Sequence, residues 1–135
     1  MRRFLIVTVG FIATLSSGGL LLARAADVPE TVMATLRAKP GNESAVADAL
    51  ARHFETARQL NLLSPVAPGV PHVTLRGSDA PDRTYFVEIF TWRDAGIPDS
   101  ATPAIQAIWR EMHALVESRD GKPGLEFAEL YVVAP

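Results

Sequence analysis

His113, His53 and Glu88 are the side chains of this sequence best placed to move a proton, and Trp92 and Trp109 are the ones best placed to stack on a ring. His113 follows Trp109 by one helical turn and sits at the edge of an apolar stripe, where a pocket mouth would open. Histidine exchanges a proton near neutral pH, so it is the natural base there; the competing reading is a solvated flank histidine. His53 lies within the stripe of an earlier helix and is either a pocket-lining base or a core histidine satisfied by a hydrogen bond. Glu88 is the one acid on a strand face shared with Phe86, Phe90 and Trp92. It is either paired, with an arginine across a subunit interface, or carries a raised pKa and works as an acid or base. Tyr85 and Thr91, on the other face of the same strand, are candidates to hydrogen-bond a ligand held between sheet and helices. Trp92 and Trp109 have core packing as their alternative. His72 reads as a strand-entry residue. No E-x-x-H or H-x-H spacing occurs and cysteine is absent, so neither a metal site, a thiolate nucleophile nor a disulfide framework is expected.

These residues need elements to hold them. Thr31 to Ala38 is rich in β-branched and small residues and ends at Lys39-Pro40-Gly41, which predicts a first strand. Asn42 is a candidate cap for a helix whose stripe is Val46, Leu50, His53, Phe54, Ala57 and Leu60. Leu62 to Pro71 is a proline-rich loop, followed by a short strand near His72 to Arg76 and a turn over Gly77 to Asp82. Thr84 to Trp92, aromatic and β-branched, is the strongest strand. Thr102 and Pro103 start a second helix, expected to run to Arg119 and stop at Asp120-Gly121. Its stripe is Ile105, Ile108, Trp109, Met112, Leu115 and Val116. Leu125 to Val133 closes the chain as a strand. The order β-α-β-β-α-β predicts an α+β, ferredoxin-like fold: a four-stranded antiparallel sheet with two helices on one face.

The first residues read as a leader: Met1-Arg2-Arg3, an apolar run from Phe4 to Leu15, then Ala23-Arg24-Ala25. The expectation is a signal peptide over residues 1–25, cut after Ala25, and an exported, periplasmic or secreted product. The alternative is an uncleaved anchor, which would be the chain's one membrane contact. The 110 residues that follow, 26–135, make one domain. The leader holds three of the 13 basic residues and none of the 15 acidic ones, so the remainder carries ten bases against 15 acids, net −5. A nucleic-acid partner is not expected of such a domain.

Both faces of the strand from Thr84 to Trp92 are mostly apolar, and Leu125 to Val133 repeats this. A sheet with helices on one side only would leave an apolar face in water. A second copy packed sheet against sheet would cover it, so the expected partner is the chain itself as a homodimer; the proline-rich loop is the alternative cover.

From Thr31 to Val133 the chain resembles the antibiotic biosynthesis monooxygenase domain family of dimeric α+β barrels. The resemblance rests on the opening strand ending in Lys39-Pro40-Gly41 and on Tyr85-Phe86-Val87-Glu88-Ile89-Phe90-Thr91-Trp92. The helix from Pro103 to Glu117 and the strand Phe127-Ala128-Glu129-Leu130-Tyr131 complete it. It implies a cofactor-independent monooxygenase acting on a small aromatic or quinol-type molecule. Such an enzyme needs an apolar pocket and a base to take the phenolic proton, so no cofactor is expected. The family's haem-degrading branch uses an Asn on the first strand and a Trp and His three turns apart on the second helix. Here no Asn lies between Thr31 and Lys39, and Pro103 stands ten residues before His113. The alternatives are a non-catalytic binding or interaction protein on the same fold, and a haem-handling protein with a histidine as axial ligand.

Overall fold

The structure, a computed structural model, describes residues 28–65 and 70–133; the expected leader and residues 66–69 of the proline-rich segment lie outside them. The elements are β1 (Glu30–Arg37), α1 (Glu43–Gln59), β2 (Val73–Ser78), β3 (Thr84–Trp92), a 3-10 turn (Pro98–Ser100), α2 (Pro103–Leu115) and β4 (Leu125–Leu130). The strands form one antiparallel sheet in the order β2-β3-β1-β4, with both helices packed on it, so the α+β, ferredoxin-like expectation holds.

Register decides which residues meet the helices. Val32, Ala34 and Leu36 of β1 stand opposite Phe90, Glu88 and Phe86 of β3, and opposite Glu129, Phe127 and Leu125 of β4. Directly opposed residues share a face. This face packs on the helices in two clusters, one around Leu36, Leu50, Phe86 and Met112, the other around Ala57, Phe90, Trp92 and Ile105. Leu36, Leu50 and Ile105 are essentially inaccessible to water. Each such side chain contributes about 1.5–3 kcal/mol by leaving water.

The other face carries Met33 of β1, Val87 and Ile89 of β3, and Leu75 of β2, which is 53% exposed. Apolar at its centre and flanked by Thr31 and Thr91 on one side and by the Arg37–Glu126 ion pair on the other, this face is covered by neither helix.

Several local expectations shift: β2 runs on to Ser78, past the expected start of the turn at Gly77, and β4 ends at Leu130 rather than Val133. α2 ends at Leu115 rather than Arg119, because Val116 turns extended (φ −112°, ψ 162°) and bridges Ala38. The segment after it is tied down by Glu117 N–H to Arg37 O and by the buried Arg119 guanidinium, which donates to Thr84 O at 3.0 Å and to Ala38 O. Tertiary contacts there outweigh helix propensity. Asn42 and Thr102 do precede their helices, but neither side chain makes a capping bond. The Thr102 hydroxyl is buried without a partner among the described residues. No helix among the described residues is long and apolar enough to cross a membrane.

Candidate active site

A cavity of about 330 Å3 lies between α2 and the sheet, over β1, the end of β3 and β4. A volume of that order takes a small aromatic molecule. The sheet contributes Val32, Phe90 and Trp92, which the alternation of β1 and β3 turns toward the helices. Trp109 of α2 closes one wall and Phe127 of β4 another. Phe90 and Trp92 meet edge to face at 4.7 Å between centroids, and Trp92 and Trp109 likewise at 6.4 Å, so the walls are locked by aromatic contacts. His113 is on the lining and exposed to solvent, which puts it at the mouth, where its place on the stripe edge predicts it.

Behind Trp109 runs a chain of buried polar contacts. The Trp109 indole N–H donates to His53 Nε2 at 3.1 Å. That nitrogen must then be an acceptor, so the ring proton sits on Nδ1 and is donated to Glu88 Oε2 at 3.1 Å. His72 Nε2 meets the other oxygen, Oε1, at 3.0 Å, and its ring stacks on Phe54 at 3.7 Å. Burial by itself would push the Glu88 carboxyl up. The hydrogen bonds from His53 and His72 instead hold it below the usual carboxylate value.

Several expectations change at this point. Glu88 is paired within its own chain, by two histidines and not by an arginine across an interface, and its pKa is lowered rather than raised. His53 is 3% exposed and has both ring nitrogens occupied, so it stands behind the cavity wall and has no nitrogen to offer a substrate. Tyr85 and Thr91 do not reach the space between sheet and helices. They alternate with Glu88 and Phe90, which face α1, and so point to the opposite side of the sheet. There Thr91 is buried against the Thr31 hydroxyl at 2.9 Å, and the Tyr85 ring covers Gly77, where a Cβ would fall 2.3 Å from it.

Three residues of the site escape the sequence reading. His72 is brought to Glu88 by the β2-β3 hairpin register, in which Thr74 stands opposite Glu88. Glu30 and Glu129 both line the cavity. Burial, and then the neighbouring carboxylates of Glu129 and Asp99, push the Glu30 carboxyl up from its ordinary value. The alternation of β1 and β4 was the signal for both, but it becomes readable only once the β1-β4 register is known. Among the described residues no cluster of three metal-ligating side chains occurs.

No protein-family model matches the chain, and no curated protein matches it. Solved structures do. One described as an antibiotic biosynthesis monooxygenase superposes with a TM-score of 0.56 at 19% identity, covering 78% of this chain and 99% of that one. SnoaB, a cofactor-independent oxygenase from Streptomyces nogalater, gives 0.52 at 20% identity over 82% and 97%. A putative antibiotic biosynthesis monooxygenase from Bacteroides thetaiotaomicron gives 0.53 at 15% identity over 79% and 91%. The chain therefore has the fold of the antibiotic biosynthesis monooxygenase structures, and the resemblance read from the sequence holds at that level.

Proposed function

We propose that the protein is a monooxygenase that oxidises a small phenolic or quinol-type aromatic with dioxygen and without a cofactor, inside the cavity under α2. The observation that carries this reading is the cavity itself: aromatic walls from Phe90, Trp92 and Trp109, with one histidine, His113, at its mouth. The fold shared with a cofactor-independent oxygenase supports it. His113 takes the phenolic proton, and the resulting anion is electron-rich enough to reduce oxygen. For a phenol with an open para carbon the balance is phenol plus O2 giving quinone plus water. One oxygen atom enters the ring, the other leaves as water, and the substrate supplies all four electrons. The walls hold the ring and keep bulk water from the reactive anion. Trp109 is held in place by its bond to His53, which Glu88 and His72 orient in turn.

The reading extends to assembly and location. Two copies pack through the sheet face that carries Met33, Leu75, Val87 and Ile89, since a face of that kind is unstable in water. The leader directs export and is removed after Ala25. Oxygen uptake with a small hydroquinone or naphthol tests the activity. His113→Ala is expected to lower kcat about 10²-fold, the usual contribution of a positioned base. Binding of the aromatic without any oxygen uptake would select a non-catalytic binding protein, the reading favoured by the absence, among the described residues, of a hydrogen-bond or ion-pair partner to His113.

A further inference from the structure

The cavity has walls of one kind and a rim of another. Its walls are aromatic, while two carboxylates, Glu30 from β1 and Glu129 from β4, stand on its lining together with His113 from α2. No lysine or arginine lines it among the described residues. Some of the other acids are paired with arginine: Glu55 with Arg58, Glu111 with Arg52, Glu126 with Arg37 and Asp120 with Arg83. Neither Glu30 nor Glu129 has such an ion pair among the described residues. Glu129 instead meets the Tyr131 hydroxyl, and Asp99 adds a third negative charge near Glu30.

We propose that the cavity selects an aromatic ligand bearing a positive charge, an amine or a quaternary ammonium group, seated between the indole walls and the Glu30 and Glu129 carboxylates. This rests on the cavity being the ligand site of the proposed function, and it names the class of substrate. Two physical effects favour such a ligand. A cation over the face of an indole is attracted by the ring quadrupole, more strongly where water is excluded. It also relieves the repulsion that the exposed Glu129 carboxylate exerts on the part-buried Glu30, which a neutral ring leaves in place. The same carboxylates repel an aromatic acid from the mouth.

The chain's two tryptophans both line this cavity, so intrinsic fluorescence reports its occupancy. The test titrates the full-length protein with phenyltrimethylammonium and with its neutral isostere tert-butylbenzene. The expected result is binding of the cation about tenfold more tightly than the neutral ring, the carboxylates and the indole faces acting together. That preference is expected to fall to about threefold, the part carried by the indole faces, in the Glu30→Gln/Glu129→Gln double variant, and with added salt to weaken for the cation only. Equal affinities in the wild type, or a preference undiminished in the double variant, would overturn the charge selection and leave the oxygenase reading standing. Quenching by neither probe would overturn both, because the cavity would then not be a ligand site.

Discussion

Glu88 is 1% exposed, and it keeps its charge there because two imidazole N–H groups meet its two oxygens. Glu88→Gln replaces one acceptor oxygen by a donor, which then opposes a histidine N–H, and should destabilise the fold by about 1–3 kcal/mol. The pH dependence follows from the direction of its shift. A carboxyl with a lowered folded pKa contributes its full stability above the ordinary value of 4.5, and loses it as pH falls through the folded one. Urea unfolding of both proteins should therefore show a wider stability gap at neutral pH than at about pH 3; an equal gap at both would show that the ionised Glu88 carboxylate is not what stabilises this site. Trp92, Trp109 and His113 were legible as parts of a pocket because their faces follow from strand and helix periodicity within one element. The partners of Glu88 were not, since His53 and His72 come from different elements, and no spacing in the chain announces their meeting. Glu30 and Glu129 were hidden for the same reason: two exposed-looking acids become neighbours only through strand pairing.

At the scale of elements, periodicity identified both α-helices and all four strands among the described residues, and the β3 limits, Thr84 to Trp92, agree to the residue. The sequence reading failed where a helix was expected to continue and a longer-range partner took the chain instead. Val116 and Glu117 leave α2 to pair with β1, and Arg119 spends its guanidinium on the carbonyls of Ala38 and Thr84. The path is so close to β4 that a Cβ on Gly124 would lie 2.8 Å from the backbone nitrogen of Glu117. Backbone on both sides cannot yield, so Gly124→Ala should destabilise by about 1–3 kcal/mol. A denaturant midpoint unchanged from the wild type would mean that this segment does not pack against the start of β4. The proline-rich segment shows the other limit of a local reading: its composition signals a loop, but not which residues it brings to the sheet, such as Ser64 N–H bonding to Thr91 O.

For the whole molecule, the sheet's outer face and the cavity under α2 make separate claims. The outer face predicts a dimer, and sedimentation equilibrium at micromolar concentration should give twice the chain mass. A charge on that face, as in Ile89→Glu, should return a folded monomer, because burying an unpaired carboxylate between two sheets is unfavourable. A monomeric wild type would show that the face is covered in some other way. The cavity predicts chemistry, and isotope transfer tests it most directly: the protein is given 1-naphthol, whose para carbon is open, under 18O2. The account predicts 1,4-naphthoquinone carrying one 18O atom, with the other recovered in water and one O2 consumed per product. Oxygen uptake no faster than in buffer, or a product without label, would contradict it.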